Sequence, residues 1–96
     1  MQFMVALHLD PAKAKTPPTL EFAQGESQAI RGLYLNGLIR QIWAHADSSG
    51  ALMIVEAPSA EGVAERIGAL PMVRGGYSTS PAIVPLAPSW GFAPRS

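Results

Sequence analysis

The run Ala51-Leu52-Met53-Ile54-Val55-Glu56-Ala57 restricts the possible folds more than any other stretch of this chain. It lies between a turn, Asp47-Ser48-Ser49-Gly50, and a helix-starting Pro58-Ser59, so it is short, bounded and apolar at consecutive positions. That pattern reads as a strand buried on both faces. A chain of 96 residues with the helices read below can cover one face of a small sheet and has little left for the other. A second copy of the chain is the expected cover. The 48% hydrophobic and 15% charged content is on the apolar side for a small domain, in keeping with a buried surface beyond the monomer core.

The remaining elements fall in order around this strand. Phe3 to Leu9 alternate, with Phe3, Val5, Leu7 and Leu9 on one face and Met4, Ala6 and His8 on the other, which predicts a first strand. Asp10-Pro11 ends it, and the proline-bearing Lys13 to Pro18 is a loop, with Thr16 or Thr19 as the next helix's N-cap. From about Leu20 to Asn36, Phe22, Ala23, Ile30 and Leu33 recur at three- and four-residue steps, and Asn36-Gly37 supplies the stop. Leu38 to Ala46 is a second strand, with Gln41, Trp43 and His45 on one face and Arg40, Ile42, Ala44 and Ala46 on the other. The turn at Asp47 to Gly50 folds it back onto the central strand as a hairpin.

Ser59 caps a second helix whose buried stripe is Val63, Ile67 and Leu70, and Pro71 stops it. Val73 to Gly76 is then a loop, and roughly Ser78 to Leu86 a fourth strand whose Pro81 and Pro85 suit a sheet edge. The tail from Ala87 to Ser96, with Trp90 and Phe92, is irregular and expected to dock on a neighbouring surface. The order β-α-β-β-α-β gives an α+β, ferredoxin-like sandwich as one domain over 1–96, both helices on one side of the sheet. Its uncovered face carries Met4, Ala6, His8, Trp43 and His45, with Leu52, Ile54 and Glu56 as further candidates.

Seven basic residues balance seven acidic ones without a cluster of either sign, which argues against a nucleic-acid binder and a polybasic membrane patch. No cysteine is present, so disulfides and cysteine-ligated metals are excluded. The opening Met1 to His8 lacks the basic start and cleavage site of a signal peptide, no apolar run has membrane-spanning length, and a cytoplasmic location is expected.

Few residues stand out as chemical. At 100° per residue Glu26 falls between Phe22, Ala23, Ile30 and Leu33, in the middle of the apolar stripe. Burial there raises a carboxyl pKa and suits a general base, whereas pairing with Arg31 or Arg40 is the structural alternative. His8 and His45 suit proton transfer at neutral pH, or hydrogen bonding within a dimer interface. Two histidines without a third ligand do not make a metal site. Arg40 suits bidentate anchoring of a carboxylate or a place at the surface, and Trp43 and Tyr34 suit the wall of a pocket for a flat substrate, with core packing the alternative for Trp43.

Several of these features together resemble the muconolactone isomerase family, within the wider dimeric α+β barrel superfamily. They are Glu26 in the first helix, Asn36-Gly37-Leu38-Ile39-Arg40-Gln41-Ile42-Trp43 running from helix into strand, the Gly50 to Ala57 strand, the Ser59 to Leu70 helix, Leu70-Pro71-Met72, and Pro85-Leu86. The likeness runs from roughly residue 20 to residue 88, with the first strand compatible. It implies a homodimer with two four-stranded sheets face to face, a larger assembly of such dimers, a small-molecule pocket in each protomer's half, and no cofactor.

The reaction so implied moves a proton beside the carbonyl of a small lactone or enolisable acid, with Glu26 and a histidine, His8 or His45, in proton transfer and Arg40 as anchor. The chain departs from the family in a shorter, less charged approach to the first helix and in the tail Trp90-Gly91-Phe92. Two other readings stay open. One is a cofactor-free monooxygenase of the same superfamily, with Trp43 and the tail aromatics cradling a polycyclic phenol. The other is a non-catalytic ligand-binding or assembly protein.

Overall fold

Residues 1–13, 16–89 and 91 are described by a computed structural model. Its elements are β1 (Gln2–His8), α1 (Leu20–Leu35), β2 (Ile39–Ala44), β3 (Gly50–Glu56), α2 (Ala60–Gly68), α3 (Pro71–Arg74) and β4 (Ala82–Pro85). The strands pair antiparallel in the order β2-β3-β1-β4, the ferredoxin-like arrangement. β3 and β1 are central, as the apolar run in β3 predicts. The caps are local. The Thr19 hydroxyl accepts from the Phe22 N–H at 3.2 Å and the Ser59 hydroxyl from the Gly62 N–H at 3.1 Å, each satisfying an orphan donor of its helix's first turn.

Register sorts the side chains into rows across the sheet. On the helix side one row is Pro85, Phe3, Val55 and Ile39, and the next is Ile83, Val5, Met53 and Ile42. Phe3, Val5, Ile39, Met53 and Val55 are fully buried in these rows beneath Val63 and Ile67 of α2 and Leu70. On the other side the rows are Val84, Met4, Ile54 and Gln41, then Ala82, Ala6, Leu52 and Trp43. Among the described residues nothing covers this face, and β3 is buried on one side and half-buried on the other. Burial on both faces requires a second layer that the described residues do not provide.

Four sequence expectations are corrected. A β-bulge between Ile39 and Gln41 inserts Arg40 as an unpaired residue, so Ile39 and Ile42 both lie on the helix side of the sheet, Ile39 buried in the core and Ile42 partly exposed. Arg40 therefore does not share a face with Ile42. One extra residue reverses a period-two pattern. Pro71 does not merely end a helix: α2 stops at Gly68, and Pro71 opens the short α3 at a position where the missing N–H has no intrahelical partner to lose. The expected loop from Val73 to Gly76 accordingly begins inside α3. Finally, β4 is shorter than Ser78 to Leu86, because Ser78 forms only an isolated bridge to Leu9 and the ladder resumes after Pro81, which has no N–H to donate. The expected docking of Trp90 and Phe92 lies outside the described residues.

Gly50 opens β3 where the hairpin returns beside β1. A Cβ there would collide with the Leu7 carbonyl oxygen, a backbone atom that cannot swing aside. Gly50→Ala is expected to destabilise the fold by about 1–3 kcal/mol, the usual cost of forced overpacking. A urea titration checks it: a lower midpoint at unchanged slope is expected.

Candidate active site

A third helix-side row follows the two large ones, and beyond Leu7 it is built from small residues: Leu7 pairs with Ala51, and Ala51 with Ala44. Beneath α1 this row leaves space that Met53 and Ile42 fill one row earlier. The result is a cavity of about 270 Å³ between sheet, α1 and α3, roofed by Glu26 and Ile30 and closed at one side by Met72. No residue of α1 is fully buried, so this helix rests on the sheet more loosely than α2 does.

Among the described residues Glu26 is the one ionisable residue on the cavity wall. It lies half-buried in α1, and one carboxylate oxygen, Oε1, accepts the backbone N–H of Met72 at 3.1 Å. That N–H belongs to the first turn of α3, whose N-cap, Leu70, has no side-chain acceptor to offer. Glu26 therefore does for α3 what a capping serine does elsewhere. Two effects act on its proton affinity. Burial disfavours the anion and the Met72 hydrogen bond favours it, and burial is the larger, holding the pKa above the ordinary 4.5. Among the described residues neither Arg31 nor Arg40 forms an ion pair with it.

The other candidates do not converge on Glu26. His8 and His45 stand together at the end of the uncovered sheet face, ring centroids 5.2 Å apart and planes tilted by 55°. The ring Nδ1 of His45 is 3.2 Å from the Ser49 hydroxyl. Trp43 is on that same face, 60% exposed, with its neighbour Leu52 across the ladder. Arg40 projects from the bulge, its Nε donating to the Gly37 carbonyl at 2.9 Å. Tyr34 is 57% exposed near the last turn of α1, beside a shallow depression shared with Ser27 and Arg31. The sheet thus separates the histidines and Trp43 from the cavity that holds Glu26.

Sequence reading missed Ser48 and Ser78, the two hydroxyl-bearing residues that line the cavity. Ser48 holds a left-handed backbone with φ 63°, a feature of turn residues that marks geometry and not chemistry. Among the described residues no group of three or more His, Cys, Asp or Glu side chains comes close enough to hold a metal ion. No helix there is long and apolar enough to cross a membrane. Chemically, the cavity offers one carboxyl group of raised proton affinity, two hydroxyl donors and otherwise apolar walls. That set can take a proton from carbon and hold the oxygen on which charge develops.

No family model matches the sequence, and no curated protein matches it significantly. Solved structures do match in shape. Muconolactone isomerase superposes over 100% of this chain and 98% of its own with a TM-score of 0.72 at 20% identity. The 5-chloro-2-hydroxyhydroquinone dehydrochlorinase of Burkholderia phenoliruptrix AC1100, in complex with 2,5-dihydroxybenzoquinone, superposes over 91% of this chain and 94% of its own, with a TM-score of 0.66 at 15% identity. With the strand order and the side on which the helices pack, these superpositions establish that the chain has the muconolactone isomerase-like, ferredoxin-like α+β fold.

Proposed function

We propose that the protein is a cofactor-independent isomerase that moves a proton within a small lactone or enolisable acid bound beneath α1. The observation that carries this reading is Glu26: a carboxyl group of raised proton affinity on the wall of an otherwise apolar cavity. The base removes a proton from the carbon next to the carbonyl, the electron pair passes into the carbonyl to give an enolate, and the same carboxyl group returns the proton to another carbon. Ser48 and Ser78 supply donors for the enolate oxygen. The names of the two superposed enzymes fit this class, since a muconolactone isomerase and a 5-chloro-2-hydroxyhydroquinone dehydrochlorinase are both named for small oxygenated rings. Because Arg40, Trp43 and both histidines lie away from the cavity, Glu26 acts as the sole base. A polycyclic phenol is the poorer fit, since Trp43 cannot cradle it there.

The test is deuterium exchange at carbon in muconolactone and related butenolides incubated in D₂O, followed by proton NMR. Loss of exchange in Glu26→Gln is expected. Unchanged exchange in that variant would exclude Glu26 as the base. Filling the cavity gives a second check. Ala51→Leu, in the small-residue row, is expected to raise KM at least tenfold while thermal stability stays the same or rises by about 0.5–2 kcal/mol, as cavity-filling changes commonly do.

We also propose that the protein is a homodimer, or an assembly of such dimers, joined through the uncovered sheet face. Two adjacent apolar rows, with Trp43 and Val84 exposed in them, support this reading. His8 and His45 then lie at the rim of the interface.

A further inference from the structure

The two long helices that cover the sheet are held very differently. α2 buries Val63 and Ile67 completely within nine residues, whereas none of the sixteen residues of α1 is fully buried. Ala29, Ile30 and Leu33 rest on the core only in part. Among the described residues, the one side-chain hydrogen bond from α1 to another element is that of Glu26 to the Met72 N–H, and the Phe22 ring meets Tyr77 with centroids 5.2 Å apart. Both contacts reach the segment after α2 and neither reaches the sheet. Inside the helix stand two glycines, Gly25 and Gly32. A Cβ at either would meet no other part of the described fold within 4 Å, and neither has a positive φ, so packing and backbone geometry leave both positions open to alanine. Glycine is the weakest helix former after proline, so the effect of the pair is to lower the stability of α1.

We propose that α1 is a cover that opens on its own: the segment Leu20–Leu35 unwinds and recloses while the sheet and α2 stay folded, and its opening admits the ligand to the cavity beneath it. Local opening of this kind is drawn from the elements with the fewest buried contacts. The cavity gives the movement a purpose. At about 270 Å³ it falls short of the roughly 300 Å³ at which small-molecule sites usually begin, so a ligand that fills it needs the roof to give. α1 packs on the side of the sheet away from the proposed interface between copies, so its opening leaves that interface intact. The purpose rests on the reading of the cavity as the substrate site, and the opening itself does not.

The chain has no cysteine, so Ala51→Cys on the cavity wall places a single thiol beneath the cover. Its reaction with an aromatic disulfide reagent is expected to be at least tenfold slower than in the unfolded chain. Adding Gly25→Ala and Gly32→Ala should slow it further, by about four- to fivefold for each site and about twentyfold for both. Ile67→Val, in the buried stripe of α2, loosens the fold without touching α1. It should speed hydrogen exchange of the β3 amides by about fivefold and leave labelling of the thiol unchanged. Hydrogen exchange in the protein without the cysteine repeats the comparison: α1 amides should exchange at least tenfold faster than those of β3 and be indifferent to Ile67→Val. A thiol as reactive as in the unfolded chain, labelling unmoved by the two alanines, or labelling and α1 exchange that quicken with Ile67→Val in step with β3 would overturn the cover. No substrate enters either measurement. Carbon exchange that persists in Glu26→Gln therefore leaves the cover standing, and failure of the cover leaves the base.

Discussion

Glu26→Gln is expected to lower kcat for carbon-bound proton exchange by about 10²- to 10⁴-fold, the usual contribution of one positioned general base, with the melting temperature unchanged or raised. The two outcomes separate because Glu26 does two jobs. Its Oε1 caps α3 by accepting the Met72 N–H, and an amide oxygen can do that as well as a carboxylate oxygen. Removing a proton from carbon needs the basic carboxylate, which an amide cannot supply. Glu26→Ala removes both roles, and an added loss of about 1 kcal/mol is expected from the uncapped donor. Proton NMR in D₂O and a thermal melt on the same samples decide it. Full activity in the glutamine variant would reduce Glu26 to a cap.

The pH dependence carries the same residue's signature twice, with opposite consequences. As a base, Glu26 works only when ionised, so kcat/KM rises with pH through its raised pKa, on a limb displaced above the ordinary 4.5. For the fold the sign is reversed. Between 4.5 and the raised value the native state holds a proton that the unfolded chain has released, so stability is full below that window and declines as pH rises through it. Glu26→Gln should remove this decline. Activity and stability therefore move in opposite directions across one window, as expected of a carboxyl group held half out of water beside its reacting partner.

The core was legible in the sequence because it obeys a single period. Phe3, Val5 and Leu7 alternate with Met4, Ala6 and His8, and the structure keeps every one of them on the expected side. Glu26 could be found because a charge inside an apolar helical stripe breaks a pattern. What could not be read depended on register. Nothing in Ile39-Arg40-Gln41 announces a bulge, yet one unpaired residue removes Arg40 from the face of Ile42. The cavity was hidden for a related reason. Ala44 and Ala51 are unremarkable along the chain and become a gap only once pairing sets them side by side under α1.

Leu52→Asp is expected to leave the monomer folded and weaken self-association by more than 10³-fold, seen by analytical ultracentrifugation as a shift from dimer to monomer at micromolar concentration. Leu52 lies at the centre of the uncovered face, between Ala6 of β1 and Trp43 of β2, and it is only half-buried within one chain. A carboxylate there meets water in the monomer and costs little. In a two-fold interface the same patch is buried twice, so two unpaired carboxylates enter it together. Each costs about 3–5 kcal/mol when left without a partner, enough to cancel the association of an ordinary small interface. Met53→Asp, one residue along on the opposite face, gives the control. Met53 is fully buried beneath α2 and Leu70, so that change should unfold the monomer itself. A Leu52→Asp protein that remains dimeric would show that the sheet face is not where two copies meet. The apolar rows of Met4, Ile54 and Val84 would then need a different cover.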